Sequence, residues 1–324
     1  MKQLIQPVLL FPGQGAQQTG MGRDVAESSA EAMNFWKQAE RASRLPLREI
    51  YWEGDEAAMG DTRALQPALT VVNLNLWREV SRQISPLGAA GHSLGEFSAL
   101  AAAGALEPAT VLQLTALRGR LMAEADPGGK GSMAALLRLD ESLAAEIVAD
   151  VVAETSELLL IANYNTPVQF VVSGVGSAVA LACKKAKERG GRGIELKVNG
   201  AFHSPMMRDA AVEFAAALRK ARWMKPRFPV YCNTHGRAAR DGESLKESLL
   251  AQMTSPVRWT EIIRSQYADG VRHWLELGPK SLLGRMVEAC LGGPKAQGEC
   301  LRCDFVGDMA GVTSCLCGRA DAVN

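Results

Sequence analysis

The sequence predicts an α/β protein, a mainly parallel sheet with helices on both faces, interrupted by a smaller inserted subdomain. Three observations predict it. Short apolar runs alternate with helix-length charged stretches over most of the 324 residues. A Gly-x-Ser-x-Gly pentad, Gly91-His92-Ser93-Leu94-Gly95, lies between a strand-like run and a helical one. The middle of the chain, residues 130–199, reads β-α-β-β-α-β, the ferredoxin-like order.

The elements follow from local chemistry. Residues 7–11, Pro-Val-Leu-Leu-Phe, form an apolar strand ended by Pro12-Gly13-Gln14-Gly15, where backbone freedom lets amide N–H groups approach a ligand. Helices are expected over 28–43 and 66–83, with Pro67 early in the second, where a missing N–H costs little. Residues 87–90 are a short small-residue strand, and 94–103 a helix closed by Gly104. Pro108 opens a helix to about 125, which Asp126-Pro127-Gly128-Gly129 breaks. In the inserted subdomain, strands are expected at 133–139, 158–162, 169–173 and 193–198. Asp140 and Ser177 are the expected caps of its two helices. Alternation then resumes: helices from Pro205, Ser244 and Pro256, strands at 228–232 and 274–277, and a last helix after Gly278-Pro279. The expected domains are 1–129 with 200–291, then 130–199, then a tail over 292–324.

Composition narrows the function classes. The net charge is +1, without the basic surplus that phosphate binding leaves, so nucleic acid is not an expected partner. No apolar run reaches the roughly 18 residues of a membrane span. The start, Met1-Lys2-Gln3, lacks the apolar region of a signal peptide, so a soluble, cytoplasmic protein is expected. There are seven cysteines. Cys183, Cys232 and Cys290 are expected to be reduced and at least half-buried. Cys300, Cys303, Cys315 and Cys317 have a spacing that suits either a four-thiolate zinc site or a reduced tail.

The pentad has the form of a nucleophile elbow. A serine hydroxyl is a weak nucleophile, and a tight strand-to-helix turn presents it to a base and to oxyanion donors. The plain alternative is a buried serine in a glycine-rich turn. A nucleophile needs a base, and the chain has four histidines: His92, His203, His235 and His273. His92 belongs to the elbow, His235 to a turn, and His273 to a strand start beside Trp274. His203 sits where the chain returns from the inserted subdomain, at the edge of an expected cleft, and is the strongest candidate.

Four separated stretches, Phe11-Pro12-Gly13-Gln14-Gly15, Gln66-Pro67-Ala68, Gly91-His92-Ser93-Leu94-Gly95-Glu96 and Ala201-Phe202-His203-Ser204, carry a resemblance. The chain resembles the malonyl-CoA:acyl-carrier-protein transacylases and the related acyltransferase domains of polyketide synthases, over residues 7–291. The resemblance implies an α/β-hydrolase-like large subdomain with a ferredoxin-like insertion. It implies that Ser93 attacks a malonyl thioester, that His203 takes its proton, and that the N–H groups of Gln14 and Leu94 form the oxyanion hole. Arg118 would grip the free malonyl carboxylate, a task that suits a planar guanidinium. Gln252 would lie in a loop that orients His203 through a main-chain carbonyl, while Asn163, Asn165 and Met122 would line the cleft. Phe202 would crowd an α-methyl branch, disfavouring methylmalonyl by about 1–3 kcal/mol. Gly200, where modular synthases often carry histidine, departs from the pattern.

The implied partners are malonyl-CoA and an acyl carrier protein bearing phosphopantetheine, with no resident cofactor, no metal, and a monomeric chain. The second function considered is an acyl hydrolase that clears carrier proteins, which would have no use for a cation at position 118. Lys184, Lys185, Lys187, Arg189 and Arg192 form a basic stretch that is either a carrier-docking face or a solvated helix face.

Overall fold

The computed structural model describes residues 5–293, 295–296 and 299–317. Val8–Phe11 (β1) is apolar and buried along its whole length, as a strand covered on both faces requires. A short helix not expected from the sequence, α1 (Arg23–Ser28), precedes α2 (Ala30–Ser43), the helix expected over 28–43. Ser29 is extended between them, and its hydroxyl accepts from the Ala32 N–H, capping α2. Two short helices follow, α3 (Leu47–Trp52) and α4 (Glu56–Met59). Helix α5 (Thr62–Val80) begins ahead of the expected residue 66, because the Asp61 carboxylate accepts from the Arg63 N–H and starts the helix there. Pro67 therefore lies inside α5, not in its first turn, and removes one rung of its hydrogen bonding.

Strand β2 (Gly88–Gly91) leads into α6 (Gly95–Ala102), and α7 (Pro108–Glu124) follows. The inserted subdomain contains β3 (Gly131–Leu137), α8 (Glu141–Thr155), β4 (Leu159–Thr166), β5 (Gln169–Val175), α9 (Gly176–Glu188) and β6 (Arg192–Glu195). Asp140 caps α8 by accepting from the Leu143 N–H at 2.9 Å. Ser177 does not cap α9; it lies within the helix and its hydroxyl donates to the Glu157 carboxylate instead. The remainder comprises α10 (Arg208–Lys220), β7 (Val230–Tyr231), β8 (Ala238–Ala239), α11 (Gly242–Gln252), α12 (Trp259–Ala268), β9 (His273–Leu277) and α13 (Leu283–Leu291). A minimal hairpin, β10 (Lys295–Ala296) with β11 (Glu299–Cys300), precedes β12 (Arg302–Val306) and α14 (Met309–Cys317).

The large sheet has the order β12-β9-β1-β2-β7-β8, parallel except for the β7–β8 pair. Part of the expected C-terminal tail is thus an edge strand of this sheet: β12 pairs with β9 from Arg302 opposite His273 to Val306 opposite Leu277. The small sheet has the order β4-β5-β3-β6 and is antiparallel throughout. Period-two alternation divides its two faces. Ala134, Leu136, Phe170 and Val172 pack in a core that includes Ile147 and Val151 of α8 and Val179 of α9. Met133, Ala135 and Val171 face the other way, into the main core.

Two register shifts bend β4 near Asn163 and Thr166. There its outer edge also pairs with the other subdomain, while Tyr164 and Thr166 remain paired with β5. The Tyr164 N–H donates to the Val257 carbonyl and the Val257 N–H to the Ala162 carbonyl. The cleft between the two sheets is pinned at this point. No helix among the described residues is long and apolar enough to cross a membrane.

Candidate active site

The strand-to-helix turn after β2 imposes tight steric demands. A Cβ on Gly91 would lie 1.9 Å from the Gly95 carbonyl carbon, and one on Gly95 would lie 2.0 Å from the Phe11 oxygen. Only glycine fits at either place. Ser93 between them has φ +49°, a left-handed backbone uncommon for non-glycine residues. Asn233, just after β7, holds the turn from the side. Its Oδ1 accepts from the Ser93 N–H and its Nδ2 donates to the Gly91 carbonyl, both at 2.7 Å.

The Ser93 hydroxyl lies 2.7 Å from His203 Nε2. On the far side of the ring, Nδ1 faces two carbonyl oxygens, those of Gln252 and Ser255, each at 3.1 Å. Carbonyls only accept, so Nδ1 carries the proton and Nε2 is the free acceptor for the serine O–H. Gln252 is the last residue of α11 rather than part of a loop. The physical reason serves the same end: the last carbonyls of a helix have no partner within it. Burial, with the nearby Arg118 charge, holds His203 far below the usual histidine range, at about 3. The imidazole is therefore neutral at physiological pH, as a proton acceptor must be.

Arg118 lies on α7, buried, with its guanidinium spread over uncharged partners. Nη1 donates to Gln66 Oε1 at 2.9 Å, and Nη2 to Gln252 Oε1 at 3.0 Å and Ser93 Oγ at 3.2 Å. Its Nε has no partner among the described residues. The guanidinium carbon sits 5.6 Å from the centre of the Phe97 ring, which adds a cation–π contact. Burial lowers Arg118 to about 10, opposed by the charge of Glu96, so it remains a cation near neutral pH.

These groups open on a cavity of about 210 Å³ between the sheets. Of the expected site residues, Gln14, Ser93, Leu94, Arg118, Met122, Asn163, Asn165, Phe202 and His203 line it. Gln252 stands behind the lining and acts through Arg118, Ser93 and His203. The Leu94 N–H, at the start of α6, and the Gln14 N–H, after β1, have no partner among the described residues. Both lie at the carboxyl ends of adjacent parallel strands, where open α/β sheets gather their ligands. Asn165 Oδ1 faces His92 Nε2 at 2.8 Å, and burial lowers His92 from its ordinary value. His92 thus turns toward β4 and away from the Ser93 hydroxyl.

Sequence reasoning missed Asn233, the counterpart of Ser93 across the sheet, and assigned no role to Gln66 or Glu96, although both lie in the quoted motifs. Met133, Ala135, Leu282, Leu283 and Met286 add apolar surface to the lining. Two members of the basic stretch meet acids on α8: Lys185 pairs with Glu154 at 2.9 Å, and Arg189 pairs with Asp150. This arrangement favours a solvated face over a docking face. Of the four tail cysteines, Cys300 is exposed, Cys303 packs under β9 and α13, and Cys315 lies on α14, while the Cys317 side chain falls outside the described residues. Burial pushes the Cys303 thiol up to about 12, the opposite of what a thiolate ligand needs. No three metal-ligating side chains converge among the described residues.

Comparison with known proteins agrees with this arrangement. The acyl transferase domain family matches residues 8–311. A malonyl CoA-acyl carrier protein transacylase of Bacillus subtilis is 38% identical over 281 residues, 86% of this chain and 88% of the relative. The protein of the same description from Haemophilus influenzae is 35% identical over 292 residues, covering 89% and 93%. Among solved structures, FabD from Acinetobacter baumannii superposes with TM-score 0.89 at 31% identity, covering 99% of this chain and 100% of that one. A malonyl-transacylase in complex with a type II polyketide acyl-carrier protein gives TM-score 0.88 at 30% identity, covering 96% and 99%. A serine elbow, a neutral histidine and a buried guanidinium around one cavity, in a chain matched across nearly its whole length, lead to one conclusion: it belongs to the acyl transferase domain family.

Proposed function

We propose that this chain moves a malonyl group from malonyl-CoA to the phosphopantetheine thiol of an acyl carrier protein, by way of a malonyl ester on Ser93. The observation that carries the reading is Arg118, a buried cation within 3.2 Å of the nucleophile and without a carboxylate partner. A buried charge of this kind is costly unless a ligand meets it. A three-carbon diacid half-thioester spans the gap between a nucleophilic oxygen and a guanidinium beside it.

In the first half-reaction Ser93 Oγ bonds to the thioester carbon while its proton passes to His203 Nε2. The carbonyl oxygen becomes an oxyanion, which the Gln14 and Leu94 N–H groups stabilise; one such donor is worth about 10²–10³ in rate. The C–S bond then breaks and His203 returns the proton to the coenzyme A sulfur. In the second half-reaction the carrier thiol gives its proton to His203, its sulfur attacks the ester, and Ser93 leaves with the proton restored. The two half-reactions form a ping-pong cycle. Phe202, against the cavity, disfavours an α-methyl branch.

The test is turnover in the presence and absence of phosphopantetheinylated carrier protein. Malonyl-carrier formation, with little malonate released when the carrier is omitted, supports transfer. Fast release of malonate to water without carrier would make the chain a hydrolase and overturn the reading.

A further inference from the structure

The mechanism leaves one buried acid unused. Glu96 lies in the first turn of α6 and is 1% exposed. One carboxylate oxygen accepts from the Asn233 N–H at 3.3 Å, and the other accepts from Gln252 Nε2 at 2.7 Å. The same Gln252 amide presents its oxygen to Arg118 Nη2 at 3.0 Å. A single amide thus joins the buried anion to the buried cation. A direct ion pair would occupy the guanidinium edge that a substrate needs, and complete isolation would leave two uncompensated charges in a dry interior.

We propose that Glu96 is the resident counter-anion of Arg118, held one amide away, and that a substrate carboxylate at Arg118 takes over this role, so that malonyl loading is coupled to protonation of Glu96. The inference rests on the malonyl reading above. With malonyl bound, the site would hold two carboxylates against one guanidinium. The proton that restores the balance comes from solvent and adds to a Glu96 oxygen; no other bond changes. Glu96 is a positioning residue here, since it reaches the substrate only through Gln252 and Arg118.

The surrounding groups suit this exchange. Burial raises Glu96 to about 7, against the opposing pull of its bonds to Gln252 and Asn233 and of the Arg118 charge. The charged or titratable groups facing it are Arg118 from α7 and Cys232 from the end of β7, while α11 presents the uncharged Gln252. Cys232 is a thiol pushed up to about 12 by burial and stays neutral. His203, lowered by burial and the Arg118 charge, and His92, lowered by burial, are both neutral near pH 7. Below pH 7 Glu96 is already protonated and the site is ready for a second acid. Above pH 7 it is ionised and must first take up a proton.

The test is kcat/KM for malonyl-CoA at pH 6 and pH 8 in the wild type and in Glu96→Gln, beside the inhibition constant of acetyl-CoA against malonyl-CoA. The wild-type value is expected to fall about tenfold from pH 6 to pH 8, following a free-enzyme group near 7. The Glu96→Gln value is expected to change by less than about twofold, and acetyl-CoA, which carries the same coenzyme A phosphates but no second acid, is expected to show no such trend. A flat wild-type profile, or the same slope in wild type and variant, would overturn the proposal, whereas a purely structural role would lower the variant equally at both pH values. If Glu96→Gln does not fold, the wild-type comparison decides: parallel trends for malonyl-CoA and acetyl-CoA overturn the coupling. Intact mass on the same wild-type sample keeps the two claims apart. A missing malonyl ester there overturns the proposed function, while an ester with no pH slope overturns only the role of Glu96.

Discussion

On the outer layer of the small subdomain, Lys185 meets Glu154 at 2.9 Å and Arg189 meets Asp150, between surface helices. Beneath the sheet of the same subdomain, Arg118 is buried among two glutamine oxygens, a serine and a phenylalanine ring. The contrast recurs along a single helix. Arg120, two residues on from Arg118 in α7, is exposed and pairs with Glu124 at 2.9 Å and Glu213 at 3.0 Å. Exposed pairs of this kind each contribute only about 0.2–1 kcal/mol, because water screens them and side-chain entropy opposes them. A buried guanidinium without a contacting acid is destabilising by itself. The chain tolerates it because glutamine oxygens share the charge and Glu96 offsets it at a distance. Lys185, Arg189 and Arg120 contact acids directly, whereas Arg118 contacts none and has its anion, Glu96, one amide away.

That comparison can be broken from either side. The largest effect is expected from Arg118→Ala, which should lower kcat/KM for malonyl-CoA by about 10²–10³-fold, the scale for removing one partner of a buried charged contact. The discrimination between malonyl-CoA and acetyl-CoA should collapse with it in a competition assay. Arg118→Lys should recover little, since an ammonium cannot bond Gln66, Gln252 and a carboxylate in one plane. A variant that kept its malonyl preference would remove Arg118 from substrate recognition. Next in size is Asn233→Ala, which strips two 2.7 Å hydrogen bonds from the serine turn. It should cost about 1–3 kcal/mol in denaturant unfolding and lower the acylation rate, because the left-handed Ser93 backbone loses its clamp. Unchanged unfolding would show that the glycine packing alone holds the elbow. The smallest effect is expected on the outer layer: Lys185→Ala should change stability by less than about 1 kcal/mol and leave the KM for carrier protein unaltered. A large rise in that KM would restore the basic stretch as a docking face.

The site was legible in the sequence where a residue's chemistry is local. The elbow is written in consecutive residues, because Gly91 and Gly95 exist to let the Phe11 strand and α6 touch. His203 could be chosen because only four histidines compete and one stands at the subdomain return. Resemblance, and not pattern, pointed to Arg118, Gln14, Leu94 and Gln252. Asn233 could not be read at all, since its two partners lie far away in sequence and nothing about Thr or His beside it marks the role. Glu96 is a first-turn acid of α6 by sequence, and its bond to Gln252, 156 residues away, depends on α11.

The fold shows the same division. Asp140 caps α8 as its local sequence requires, whereas the start of α5 was misplaced because Asp61 competes with the stronger-looking signal at Pro67. The edge strand β12 was taken for tail because Arg302-Cys303-Asp304 reads as polar. Its place depends on pairing with β9, and His273 meets Asp304 at 2.9 Å across that pair.

The most direct measurement is intact mass of the protein within seconds of mixing with malonyl-CoA, followed by peptide mapping. One malonyl-sized increment is expected, located on Ser93, absent from Ser93→Ala and discharged when carrier thiol is added. An unmodified wild-type protein, or a malonyl group found on another residue, would contradict it.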